Sequence, residues 1–256
     1  MCLIVFSWNN HPEYKLIVAA NRDEHYKRPT RSLHYWPHGD ILAGMDLTGG
    51  GTWLGINKMS KFTAVTNYRD LNHFKGDAKS RGKLTLQYLQ DRQLPEEYLV
   101  KLTNESEQYN GFNLLVGDFN SLFYFSNISQ KIEKLAAGLY GLSNHLLNTP
   151  WPKVSLAKDL LTMELKMKKI DQERLFDILH DKTIAPDDQL PTTGVGLELE
   201  RALSPLFIQH GNYGTRCSSV LLMDYEGNVI FRERSYTNGA YNGEDLEFKL
   251  TVEKST

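Results

Sequence analysis

Cys2-Leu3-Ile4-Val5-Phe6-Ser7-Trp8 and, a turn later, Lys15-Leu16-Ile17-Val18-Ala19-Ala20-Asn21-Arg22-Asp23-Glu24 decide how this chain folds. Leu3 to Trp8 and Lys15 to Asn21 are almost continuously apolar, the pattern of strands covered on two faces. Asn10-His11-Pro12-Glu13 between them is rich in turn residues, so the two read as an antiparallel hairpin. The hairpin carries the charged tetrapeptide 21–24 back beside Cys2. A thiol, a guanidinium and carboxylates then share the end of a buried sheet. Met1 precedes a small residue and is expected to be removed, which would add the α-amine of Cys2 to that spot. An intact mass that retains Met1 would contradict this.

Outward from the hairpin, residues 25–40 form a polar, aromatic-rich stretch with Pro29 and Pro37, read as a long functional loop. Residues 41–46 read as extended. Gly49-Gly50-Gly51 is a tight turn or bulge, because no helix start and no Gly-Lys-Ser/Thr follows it. Residues 52–57 and 62–67 suit a second hairpin. Two helices are expected over 80–89, capped by Ser80, and 95–105, opened by Pro95 with Glu96 and Glu97 in its first turn. Strands return at 112–117 and 121–126, and an extended piece leads to 138–144. Helices over 154–167 and 172–179 precede a loop at 184–196. A hairpin over 217–224 and 229–234 and an alternating strand at 246–252 finish the order. Hairpins bracketing helix pairs argue against a doubly wound parallel sheet. The expected fold is α+β: a four-layer αββα sandwich of two mainly antiparallel sheets between helix layers, one domain over 1–256.

With 256 residues, 41% hydrophobic and 23% charged, the chain can bury a sizeable core, and its composition is neither disordered nor membrane-spanning. A net charge of -2 offers no basic face for nucleic acid. Cys2 and Cys217 are too few for a disulfide framework, so a reducing, cytoplasmic setting is expected. The apolar start lacks the positive residue and length of a secretory signal. No apolar run approaches the roughly 20 residues of a spanning helix. Metal-site spacing is absent, so no metal is expected.

With Met1 gone, the α-amine of Cys2, of reference pKa about 7.7–8.0, can act as base for its own thiol, of about 8.5. Arg22 would favour the thiolate, and Asp23 would hold the ammonium or the arginine. Asn67 and Asn144 are candidate oxyanion donors. Arg216 could bind a substrate carboxylate or order the site. Plainer readings stand beside these: Cys2 as a small hydrophobic-like strand residue, 21–24 as a solvated turn. The hairpin that joins the two features is what sets the site reading level with the plain ones.

Met1-Cys2-Leu3-Ile4 and Ala20-Asn21-Arg22-Asp23-Glu24 are accompanied by Gly50-Gly51-Thr52-Trp53-Leu54-Gly55, Thr66-Asn67 and Ser80-Arg81-Gly82. Tyr109-Asn110-Gly111-Phe112-Asn113-Leu114, Gly141-Leu142-Ser143-Asn144 and Thr215-Arg216-Cys217-Ser218-Ser219-Val220-Leu221-Leu222 complete the set. Together they resemble the NRDE family, also called the transport and Golgi organisation family, nearly end to end. The loop 184–196 and the tail carry no such signal. The resemblance implies an αββα fold like that of N-terminal nucleophile hydrolases and kinship with cysteine amidases and acyltransferases such as the penicillin and bile-salt acylases. By that resemblance Cys2 is the nucleophile, Arg22 and Asp23 its partners and Asn144 an oxyanion donor. It also implies intracellular haem trafficking, or acyl-coenzyme A and lipid handling.

Asn21, Arg22, Asp23, Glu24, Trp53, Asn67 and Arg216 are then the expected ligand-binding residues. No cofactor is required, and haem or acyl-coenzyme A is a bound ligand. Axial candidates for haem include Cys2, His25, His34, His38, His73, His145 and His210. The first reading is a soluble carrier or chaperone of haem, or of a similar amphiphilic anion such as acyl-coenzyme A. The alternative is a Cys2-dependent amidohydrolase or acyltransferase acting on an amide or thioester. No nucleic acid and no integral membrane segment enter either reading.

Overall fold

Strand β1 (Cys2–Trp8) pairs antiparallel with β2 (Tyr14–His25), Ile4 lying opposite Ala20 and Val5 opposite Ala19. Ile4, Phe6, Leu16 and Val18 enter one core, while Leu3, Val5, Ile17 and Ala19 enter another. Both faces are therefore covered, which is why the two runs are apolar without a break. The computed structural model describes residues 2–37, 40–70 and 73–254. Met1 and His38 lie outside the described residues.

The second sheet is a meander in chain order. It runs β3 (Thr30–Tyr35), β4 (Ile41–Asp46), β5 (Leu54–Asn57), β6 (Phe62–Asn67), β7 (Phe112–Gly117), β8 (Leu122–Ser126) and β9 (Lys131–Lys134). The first sheet collects β10 (Gly138–Leu142) beside β1 and β2, then β12 (Tyr213–Asp224), β13 (Asn228–Thr237) and β14 (Ala240–Thr251). A short β11 (Gln209–His210) pairs with β12. Neighbouring strands in both sheets are antiparallel.

Phe6, Leu42, Ile56, Leu115 and Phe231 fill the space between the sheets. Helices α1 (Gly82–Gln90) and α2 (Pro95–Thr103) bury Leu84, Tyr88 and Leu99 against Leu114, Val116 and Phe125 of the second sheet. On the far side, α3 (Pro152–Glu164) and α4 (Gln172–Leu179) bury Leu161, Leu175 and Phe176 against Leu3, Val5 and Leu222. A short α5 (Leu197–Ala202) follows. The expected αββα arrangement is the observed one.

Several boundaries move. Strand β2 runs on to His25 instead of ending at Asn21, and β3 occupies part of the expected 25–40 loop. Ser80 does not cap α1, whose N-cap is Arg81 with no side-chain cap bond. Helix α3 starts two residues early because Pro152 supplies a preset first-turn φ. Gly49-Gly50-Gly51 forms the expected turn: Gly50 has a φ of 67° and its N–H bonds the Asp46 carbonyl at 2.8 Å.

Candidate functional site

Strand alternation divides the tetrapeptide between two faces. Arg22 and Glu24 continue the face of Val18 and Ala20, toward the other sheet, while Asn21 and Asp23 continue the face of Ile17 and Ala19, toward the helices. Cys2 continues the face of Ile4 and Phe6 and stands in register with Arg22. The hairpin thus delivers thiol and guanidinium to the same side of the sheet.

Cys2, Arg22, Asp23, Glu24, Trp53 and Asn67 line one cavity of about 500 Å³, where β1 begins and β6 ends. Arg28, Asp46, Lys75, Lys79 and Arg81 continue its wall. Arg22 is buried, with its guanidinium over the Trp53 ring at 4.5 Å. It donates from Nη1 to Thr30 Oγ1 at 3.2 Å and from Nη2 to Asp46 Oδ2 at 3.4 Å. The same Asp46 oxygen accepts from Arg28 Nε at 2.7 Å. Burial pushes the Asp46 carboxyl up, but hydrogen bonds from Arg28 and the Gly49 N–H, with the charges of Arg28 and Arg22, hold it below its ordinary value. Trp53 lies flat on Gly44, where an added Cβ would stand 2.1 Å from the ring.

Cys2 is partly exposed, and its carbonyl accepts from Ser143 Oγ at 3.0 Å. Desolvation raises its thiol pKa, with Asp23 adding to the rise and Arg22 opposing it. Asp23 is also raised by burial, against the pull of Lys153, a hydrogen bond from Thr215 Oγ1 at 2.7 Å and Arg22.

Two expected ligand contacts, Asn21 and Arg216, and the expected oxyanion donor Asn144 do not line this cavity. Asn21 is buried among the helices: its Nδ2 donates to the carbonyls of Leu179 and Leu206 at 2.7 and 2.9 Å, and its Oδ1 accepts from Ser218 Oγ at 2.6 Å. Arg216 sits at a bulge, since Thr215 pairs with Asp23 and Cys217 with Arg22, leaving the residue between them out of register. Its Nη1 donates to the carbonyls of His25 and Arg28, and it lines a separate cavity of about 110 Å³. Asn144 is fully buried, and its Nδ2 donates to the Asn67 carbonyl at 2.8 Å. It braces Asn67 from behind and is not part of the cavity wall.

None of His25, His34, His73, His145 and His210 lines the cavity. His145 bonds Tyr68 and Thr149, His73 bonds Asp70, and His34 stacks on Trp36. Among the described residues, no group of three or more His, Cys, Asp or Glu could hold a metal ion, and no helix is long and apolar enough to cross a membrane.

The profile of the Transport and Golgi organisation 2 family matches residues 1–238. The homologue from Bos taurus is 35% identical over 92% of this chain and 93% of its own length, and that from Drosophila melanogaster is 29% identical over 95% of each. This chain belongs to the Transport and Golgi organisation 2 family. Among solved structures, a mutant of the conjugated bile acid hydrolase from Clostridium perfringens superposes with a TM-score of 0.55, at 11% identity, over 99% of this chain and 97% of the other. This chain thus shares the fold of that hydrolase.

In this family member the sequence reading missed Asp46, Arg28 and the basic wall residues Lys75 and Lys79. Asp46 looked like a strand end, and the two lysines carried no motif. Nothing local distinguishes them, because the meander is what folds them onto the hairpin end.

Proposed function

We propose that the cavity binds an amphiphilic anion carrying an acyl group, of the acyl-coenzyme A type, and that the protein acts as its carrier. One observation carries this reading. The wall holds Arg22, Arg28, Lys75, Lys79 and Arg81 against Asp23, Glu24 and Asp46, a local cationic excess on a chain of net charge -2. Such a wall attracts phosphate or carboxylate groups. Trp53 and Val65 offer apolar surface deeper in, and the volume suits a small-molecule ligand. For haem, the other expected anion, no histidine lines the wall among the described residues, which favours the acyl compound.

A second reading rests on a specific contact. Cys2 stands in register with Arg22 at the cavity wall, and the fold is shared with a protein named as a hydrolase, so acyl transfer to Cys2 is the competing function. Cys2→Ser and Cys2→Ala separate the two. Incubation with decanoyl-coenzyme A, followed by intact mass and thiol release, should show saturable binding without turnover in wild type and both variants. A Cys2-linked acyl adduct, or coenzyme A release lost in Cys2→Ala, would establish the enzyme instead.

A further inference from the structure

Behind the Cys2 cavity lies a second layer of charge that the carrier reading does not use. Lys153 follows Pro152 in the first turn of α3, is 3% exposed, and its Nζ has no hydrogen-bond partner among the described residues. Local chemistry is set against a cation there. A helix N-terminus is the positive end of the helix dipole, burial penalises the ammonium, and Arg69 adds a like charge. Arg69 is itself buried, donating to Glu200 at 2.8 Å and lying over the Trp151 ring at 5.0 Å. Favouring the cation are Asp23 from β2, Cys2 from β1 and Glu200 from α5. Tyr213 of β12 closes the group, its hydroxyl donating to the Asp23 carbonyl at 2.9 Å. An apolar side chain would satisfy the packing of α3 without these penalties. A buried, unpartnered lysine that shares a cavity wall with Arg69 and Glu200, and whose charge acts on Asp23 and Cys2, points to the site it serves.

We propose that Lys153 is a positioning residue for the Cys2 site: its buried ammonium keeps Asp23 ionised and draws Cys2 toward thiolate, so that the charge state of the cavity floor follows that of Lys153. This rests on reading the Cys2 cavity as the working site. Burial pushes the Lys153 ammonium down to about 8 despite Asp23, so its charge is full at pH 6.5 and mostly gone by pH 9.

The test is the rate of Cys2 alkylation by iodoacetamide from pH 6 to 10, read on the N-terminal peptide by mass spectrometry without any ligand. Lys153 and the α-amine of Cys2 both titrate near pH 8, so wild type should show a shoulder there of which Lys153 supplies part. Lys153→Met should shrink the shoulder and slow alkylation at pH 7.5 about tenfold, one pKa unit on the thiol. Lys153→Arg should shrink it likewise yet stay within about threefold of wild type at pH 7.5. A wild-type profile in Lys153→Met would overturn the proposal, as would equal slowing in the Met and Arg variants with unchanged melting curves. Should either variant fail to fold, Asp23→Asn in the presence of Lys153 decides. Losing its counter-charge should move the shoulder below pH 8, and an unmoved shoulder would overturn the coupling. Because no ligand is present, failure to bind acyl-coenzyme A would leave this outcome untouched.

Discussion

Arg22 shows how one side chain organises the cavity floor. Its guanidinium is held at once by the Trp53 ring, Thr30 and Asp46, so a charge that would be expensive to bury is fully engaged. Asp46, shared with Arg28, carries a pH signature. Its folded pKa lies below the unfolded value, so its contribution to stability is complete above about pH 4 and is lost as pH falls through the folded value. Denaturant midpoints measured from pH 5 to pH 2 should fall less steeply in Asp46→Asn than in wild type. Asn21 plays a different part from its neighbour. Replacing it with Ala strips partners from two carbonyls and a hydroxyl in a buried setting, and should lower unfolding free energy by roughly 2–4 kcal/mol. Urea denaturation checks this, and the alkylation rate of Cys2 should stay near wild type.

At the scale of elements, the hairpin β1–β2 was legible because both faces are covered and the residues say so. Strand β3 was not. Only Leu33 of its residues is buried, so it has no alternating apolar signal, and its flanking prolines read as loop. The continuation of β2 past Asn21 to His25 was equally hidden, since Asp23 is satisfied by Thr215 of β12, far along the chain. The bulge at Arg216 escaped for the same reason: it is a property of the pairing with β2, not of the local sequence. The glycine turn before β5 has a checkable role in joining elements. A Cβ at Gly51 would stand 2.1 Å from the Gly82 carbonyl oxygen, backbone that cannot rotate away. Gly51→Ala should therefore separate this turn from the start of α1, at a cost of about 1–3 kcal/mol. The drop in melting temperature would measure it.

Across the whole molecule, two sheets close on a common core and two helix layers cover their outer faces, and a charged cavity of about 500 Å³ opens at the end of the β1–β2 hairpin. The layered architecture followed from element order and apolar runs. The site followed only in part. Cys2, Arg22 and Trp53 lie where the hairpin and the second sheet would bring them, while the basic wall and the buried Lys153 depend on long-range folding that no spacing reveals. The most direct check of the account is a calorimetric titration of decanoyl-coenzyme A into the reduced protein, beside Arg22→Ala. The account predicts saturable one-to-one binding in wild type, weakened at least about tenfold in Arg22→Ala, or roughly 1.4 kcal/mol. No saturable heat in wild type, or equal affinity in Arg22→Ala, would contradict it.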